Sequence, residues 1–266
     1  MKFYKFHGTG NDFIMVDNRQ KTLSLSPKEV RKWCHRHFGI GADGLILVET
    51  SENADFFMNY YNADGSLAEM CGNGTRCTAH FVKDILGFSG DAVLLETRAG
   101  RKQIDCLENN HFRVNMGMPY FEKFSDFPRE SQVFEGVRFS FVSMGNPHAI
   151  GFFENEEQAT TFLNNAAPDM EKNTNLFPHR INVSVSWKKG EDHFGAKTHE
   201  RGCGQTLACG TAMSGLFALL VEKWKYSPKN KRVQIDVPGG TLFFEYNNNK
   251  EILMTGPSEK VFEGEL

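Results

Sequence analysis

The sequence predicts an α+β protein built as two similar halves, and three observations carry that expectation. Two Cys-Gly openings, Cys71-Gly72-Asn73-Gly74 and Cys209-Gly210-Thr211, each lead into an apolar stretch with helical spacing. Short apolar runs bounded by turn residues surround both of them. At 266 residues the chain exceeds the common size of one domain, and two domains of ordinary size can each bury a proper core.

Strands are expected in the first half at Phe13 to Val16, Leu45 to Val48, Asp55 to Tyr61, Ala92 to Thr97, Gln103 to Leu107 and Phe112 to Met116, with hairpin tips at Ala99-Gly100 and Asn109-Asn110. Ser26-Pro27-Lys28-Glu29 has the capping-box arrangement with proline at the first helical position, and Gly39 stands where that helix would stop. A second helix is expected from Thr75 to Leu86, with Ala79, Val82, Ile85 and Leu86 near one face and Gly87 as a left-handed cap. After Pro119, the polar stretch from Glu122 to Gln132 lacks periodicity and reads as a linker or long loop. The recipe then repeats. Strand-like runs occur at Val137 to Val142, Ala149 to Phe153, Asn182 to Ser186 and His193 to Thr198, then a helix over Leu216 to Trp224, then strands at Val233 to Val237, Leu242 to Tyr246 and Ile252 to Met254.

Composition narrows the function classes. A formal net charge of −3 gives no general attraction to phosphate backbones or anionic membranes, so nucleic acid and membrane surfaces are not expected partners. The opening segment has no apolar signal core and no stretch is long and apolar enough to span a bilayer, which points to a soluble, cytoplasmic protein. Six cysteines are too sparse for a disulfide scaffold and are expected as thiols. Cys71/Cys77 and Cys203/Cys209 share a spacing of six positions, but along a helix that spacing turns about 600° and aims the side chains apart, so no metal site is expected. Cys34, Cys77, Cys106 and Cys203 read as ordinary small hydrophobes.

Several motifs admit a plain structural reading. Gly39-Ile40-Gly41-Ala42-Asp43-Gly44 has dinucleotide-loop spacing, but a helix precedes it and a strand follows, the reverse of a Rossmann loop, so a glycine-rich turn is expected. Asn62-Ala63-Asp64-Gly65-Ser66 is a tight turn by its Asp-Gly, made interesting by Cys71 close behind. His148, in Gly145-Asn146-Pro147-His148, is either a loop histidine or a group that polarises a thiol or carboxylate. Glu200-Arg201 is either an exposed ion pair or a carboxylate clamp. The cysteines at the helix starts differ in kind, because unpaired N–H groups there favour thiolate and offer donors to a carboxylate.

Asn62-x-Asp64-Gly65-Ser66 followed by Cys71-Gly72-Asn73-Gly74-Thr75-Arg76 resembles the signature of the diaminopimelate epimerases. His7-Gly8-Thr9-Gly10-Asn11-Asp12, Gly145-Asn146-Pro147-His148, Ile181-Asn182-Val183, Glu200-Arg201-Gly202 and Leu207-Ala208-Cys209-Gly210-Thr211 extend the resemblance, in order, along nearly the whole chain. It implies two pseudo-symmetric α+β domains, each a mixed, mostly antiparallel sheet wrapped around a central helix, with the substrate between them. The expected division is 1–118 with 255–266 returning to it, carrying Cys71, and 119–254, carrying Cys209.

The implied activity is cofactor-independent interconversion of LL- and meso-diaminopimelate, in lysine and peptidoglycan-precursor synthesis. Cys71 and Cys209 become the two catalytic groups on opposite faces of the α-carbon, with His148 and Glu200 beside them. Asn11, Asn62, Asn146, Asn182, Glu200 and Arg201 become substrate-binding residues, chiefly for the centre that does not react. Backbone amides of Gly72, Asn73, Gly210 and Thr211 would hold the reacting carboxylate. A homodimer is compatible with this reading. Two departures stand out: Gly202-Cys203-Gly204-Gln205-Thr206 where the family commonly has Gly-x-Gly-Glu-Thr, and Gly44 where many members carry glutamine. The nearest rival is a proline or hydroxyproline racemase, which typically has histidine after the first Cys-Gly where this chain has Asn73. A cysteine hydrolase using His148 and a thiol-redox or binding protein are rivals of other classes.

Overall fold

The structure is a computed structural model that describes residues 1–121 and 130–266. By its packing the chain divides into two compact units, Met1–Asn115 with Thr255–Leu266, and Met116–Met254. Each contains one cysteine-headed helix.

The N-terminal unit runs β1 (Lys2–Gly8), β2 (Asn11–Asp17), α1 (Pro27–Cys34), β3 (Gly44–Glu49), β4 (Phe56–Asn62), α2 (Gly72–Asp84), β5 (Ala92–Thr97), β6 (Gly100–Cys106) and β7 (His111–Gly117), the last ending just beyond the unit. Pairing is antiparallel for β1/β2, β3/β4, β5/β6 and β6/β7, and parallel for β2/β3 and β4/β5. Strands β2 and β3 are apolar runs rather than alternating ones because both faces are covered. Ile14, Val16, Leu45 and Leu47 meet Val30 and Cys34 of α1, while Phe13, Met15, Ile46 and Val48 are buried on the other face. Helix α2 packs against β1, β2, β3 and β6, so the sheet encloses it. It is consequently buried on all sides from Gly72 to Val82, not along the single face that apolar spacing suggests.

The C-terminal unit runs β8 (Ser131–Phe134), β9 (Val137–Ser143), β10 (Pro147–Phe153), α3 (Glu156–Asn165), α4 (Ala167–Lys172), β11 (Asn182–Gly190), β12 (His193–Glu200), β13 (Gly204–Thr206), α5 (Gly210–Ala218), β14 (Arg232–Val237), β15 (Gly240–Tyr246) and β16 (Ile252–Pro257). The chain passes back into the N-terminal unit within β16, at Thr255, and ends as β17 (Glu259–Glu265), antiparallel to β1. Here β10/β11 and β12/β14 are parallel, and β8/β9, β9/β10, β11/β12, β12/β13 and β14/β15 antiparallel. Phe139, Phe141, Phe153, Phe162, Phe177 and Trp187 build an aromatic core between this sheet and α3/α4. A wide π turn, Leu219–Lys223, extends α5.

Several local expectations need correction. Helix α1 has its capping box, worth about 1 kcal/mol, but ends at Cys34 rather than at Gly39. Gly39 is required for another reason: a Cβ there would lie 2.0 Å from the Lys32 carbonyl oxygen. The helices begin at Gly72 and Gly210, directly after their cysteines. Cys203 is exposed, because it stands in a tight turn between left-handed Gly202 and Gly204 instead of in a core. Most of the stretch read as a linker, 122–129, lies outside the described residues, and Ser131 and Gln132 belong to β8. Among the described residues no helix is long and apolar enough to cross a membrane.

Candidate active site

Cys71 is the N-cap of α2, with an extended backbone (φ −139°, ψ 121°) and no side-chain capping hydrogen bond. The first intrahelical bond is donated by the Thr75 N–H to the Cys71 carbonyl at 2.8 Å, so the Gly72 and Asn73 amides lie in the turn whose donors have no helical acceptor. The Cys71 thiol donates to Asn11 Oδ1 at 3.4 Å, and the buried Asn73 amide donates to the same oxygen at 3.3 Å. Asn11 is itself oriented, since its Nδ2 donates to Asp43 Oδ2 at 2.8 Å. Arg36 bridges Asp43 (2.7 Å) and Asp12 (2.9 Å), and Lys5 adds a 2.6 Å pair to Asp12. Burial works against the Asp12 charge, yet Arg36 and Lys5 hold its carboxyl down at about 2.

Asn62 anchors a turn, its Nδ2 donating to Ser66 Oγ at 3.0 Å. Gly65 is left-handed there (φ 84°), as its Asp-Gly context requires. Gly44 faces Asn62 across β3/β4. A Cβ at Gly44 would come 2.5 Å from Tyr60 Cε2 and 2.7 Å from the Tyr61 carbonyl oxygen, so this chain has no room for the glutamine seen in many members of the resembling family.

Cys209 holds the corresponding place on α5, again with an extended backbone (φ −118°, ψ 104°), and the Met213 N–H donates to its carbonyl at 3.0 Å. It is almost wholly enclosed. Burial raises its pKa well above the usual thiol range, the nearby Glu200 carboxylate raises it further, and the Thr211 hydroxyl and Ala212 amide oppose them. Glu200 is held by a 2.6 Å hydrogen bond donated by Thr206 Oγ1.

His148 does not touch the sulfur directly. Its Nε2 lies 3.0 Å from Asn146 Oδ1 and 3.1 Å from Thr211 Oγ1. An amide oxygen can only accept, so Nε2 carries the hydrogen, which leaves the Thr211 hydroxyl to donate toward Cys209 Sγ at 3.5 Å. The ring is fully buried, which together with the Arg201 charge lowers its pKa to about 3 and keeps it neutral. Its Nδ1 has no partner among the described residues.

The turn after β12 is built by hydrogen bonds to its backbone. The Arg201 N–H donates to Asn182 Oδ1 at 2.9 Å, and Asn182 Nδ2 donates to the Pro147 carbonyl at 2.9 Å. Arg201 Nη1 donates to the His179 carbonyl at 2.8 Å. Buried Glu171 accepts from the Gly202 N–H at 3.3 Å and pairs with Arg180 at 2.6 Å. Gln205 reaches Asn164 of α3 at 2.8 Å.

Of the residues singled out in the sequence, Asn11 meets Cys71 and Asn73, Glu200 and Thr211 lie at Cys209, and His148 and Asn146 stand behind Thr211, whereas the contacts described for Asn62, Asn182 and Arg201 are with Ser66, the Pro147 and His179 carbonyls and one another. Asp43, Glu171 and Thr206 were not anticipated. Asp43 sits in a glycine-rich segment that reads as a turn, and nothing in the sequence ties Glu171 to Gly202, 31 positions away. Among the described residues no group of three or more His, Cys, Asp or Glu side chains is arranged to hold a metal ion.

A family model described as diaminopimelate epimerase matches residues 3–122 and 140–261. A diaminopimelate epimerase of Leptospira biflexa is 36% identical over 282 aligned residues, covering 100% of this chain and 99% of that protein. Among solved structures, a phenazine biosynthesis protein of the PhzF family from Bacillus anthracis superposes with a TM-score of 0.74 at 17% identity, covering 100% of this chain and 98% of that one. A hydroxyproline epimerase from Agrobacterium vitis superposes with a TM-score of 0.71 at 12% identity, covering 100% and 90%. At such identities these two structures speak for the fold alone.

Proposed function

The chain belongs to the diaminopimelate epimerase family, and from that premise we propose that Cys71 and Cys209 act as a base and acid pair on one α-carbon of 2,6-diaminopimelate. The reaction is interconversion of the LL and meso isomers, an isomerisation in lysine and peptidoglycan-precursor synthesis. One observation carries the residue assignment: each unit presents a cysteine as the N-cap of its buried helix, in nearly the same backbone conformation.

An amino-acid α-hydrogen is very weakly acidic, so a thiolate can remove it only if the charge passing into the carboxylate is strongly stabilised. Helix-start amides of Gly72, Asn73, Gly210 and Thr211 supply donors for that charge, at about 3–4 kcal/mol each for preorganised oxyanion donors. Burial and Glu200 favour the protonated form of Cys209. With Cys209 as the acid, Cys71 first gives up the proton that it donates to Asn11 Oδ1 in the free enzyme. As thiolate it then takes the α-hydrogen as a proton from one face while the C–H electron pair moves into the carboxylate. Cys209 delivers its proton to the opposite face, which leaves Cys71 protonated and Cys209 ionised. The reverse reaction uses the pair with roles exchanged, and its pKa values belong to the pair. Asn11, Asn62, Asn146, Asn182 and Arg201 bind the amino and carboxylate groups of the second centre, while His148 acts through the Thr211 hydroxyl. The partners on this reading are the small-molecule substrate and a second copy of the chain, in the cytoplasm.

The test is conversion of LL-diaminopimelate in heavy water without added pyridoxal phosphate or metal, with hydroxyproline offered in parallel. Deuterium at the α-carbon of the meso product supports the reading. Exchange into hydroxyproline alone would favour the racemase alternative, and exchange into neither would leave the hydrolase or binding readings.

A further inference from the structure

Arg76 is the largest fully buried side chain among the described residues, five positions along the chain from Cys71 in α2. A guanidinium removed from water is costly, and burial lowers the Arg76 pKa to about 10. Its contacts show what it does there. Nη2 donates to Thr9 Oγ1 at 3.2 Å and Nε donates to the Pro257 carbonyl at 3.2 Å. The Thr9 hydroxyl in turn donates to the Gly8 carbonyl at 2.7 Å. A Cβ at Gly8 would lie 3.1 Å from Nη2 and 3.2 Å from the Asn73 carbonyl oxygen, so the guanidinium is packed flush against this backbone.

Thr9 (φ 51°) and Gly10 (φ 82°) form the left-handed turn that ends β1 and starts β2. The residue after it is Asn11, whose Oδ1 accepts from both Cys71 and Asn73. We propose that Arg76 is a positioning residue for the reaction, clamping the turn at 8–10 onto the first turn of α2 so that the Asn11 amide is held against Cys71. All the parts lie in the N-terminal unit. A hydrophobic side chain of similar volume would fill the space but would leave Thr9 and Pro257 without this shared donor. The proposal rests on Cys71 being one of the reacting thiols.

The test is a double-mutant cycle on full-length enzyme with diaminopimelate, using Arg76→Lys, Asn11→Ala and the pair, with circular dichroism and thermal melts to confirm folding. Thr9→Val, nearly isosteric and leaving the charge in place, breaks the clamp independently if Arg76→Lys does not fold. We expect kcat to fall about fivefold or more with KM changed less than about threefold, and the loss to shrink to within about twofold when Asn11 is already alanine. A merely structural role would not couple to Asn11. A folded clamp variant losing less than fivefold, or losses that multiply with those of Asn11→Ala, would overturn the proposal. Wild-type and Cys71→Ala enzyme run beside it: turnover retained by Cys71→Ala removes the underlying reading, whatever Arg76 does.

Discussion

The two cysteine-headed helices make the same device from opposite charges. In the N-terminal unit a buried cation, Arg76, lies under the turn that carries Asn11, and Cys71 is only partly covered. In the C-terminal unit a buried anion, Glu171, holds the Gly202 amide beside Arg201, and Cys209 is enclosed next to the Glu200 carboxylate. Burial and the Glu200 carboxylate raise the proton affinity of Cys209, so the two sulfurs stand in different surroundings. A pair that must hold a single proton is served by that difference, whereas two equivalent thiols would be ionised together or protonated together in a larger share of molecules.

The strongest challenge to this comparison is removal of either sulfur. Cys71→Ala and Cys209→Ala should each reduce kcat by about 1000-fold or more, with circular dichroism unchanged, because on the proposed mechanism one face of the carbon then has no proton carrier. A variant that kept normal turnover would show that the two helix starts are not partners.

Acid should separate the units. His148 has a folded-state pKa of about 3 against an ordinary 6.5, so below pH 6.5 the unfolded chain takes up a proton that the folded chain refuses. Stability is therefore lost as pH falls from 6.5 toward 3, by about 2 kcal/mol between pH 6.5 and 5. Hydrogen exchange at pH 5 compared with pH 7 should show protection falling more in 116–254 than in 1–115, and His148→Gln should shrink the difference, leaving the smaller share of His199, whose pKa burial also lowers. Equal loss in both units would break this part of the contrast.

Packing and charge can then be probed one unit at a time. Gly44→Ala should destabilise the protein by about 1–3 kcal/mol in urea titrations, since the added carbon meets Tyr60 and the Tyr61 backbone. In the other unit, Glu171→Gln keeps an acceptor for Gly202 but weakens the pair with Arg180. It should raise KM about threefold with little change in kcat, because it loosens the Arg201 turn and not a reacting sulfur.

Much of this was legible in the sequence where a local rule and the tertiary environment agree. Phe13 to Val16 and Leu45 to Val48 read as strands because both of their faces are buried, and Asn109 and Asn110 as a hairpin tip because both take the left-handed conformation. Strand β1 was missed because Lys5 interrupts its apolar run, and contacts with Asp12 and the Gly41 carbonyl let that lysine be buried. Strand β17 was missed because its side chains are nearly all exposed and its partner is found through backbone pairing with β1. Helix α3 hid behind threonine and asparagine, which are weak helix formers, although Ala159, Phe162 and Leu163 supply the buried stripe. At the site, the cysteines and their nearest neighbours were visible as a motif. Asp43 and Glu171 were not, since a carboxylate that orients another side chain or a distant amide leaves no spacing to read.

The central claim is that two sulfurs, and not one, handle the proton, and the hydrogen content of product and recovered substrate at a few per cent conversion tests it most directly. A thiol carries a single proton, so in heavy water the first meso product formed from LL-diaminopimelate should contain solvent deuterium while the unreacted LL isomer stays protiated. Deuterium building up in the recovered LL isomer as fast as in the product, or product that keeps the original hydrogen, would contradict it.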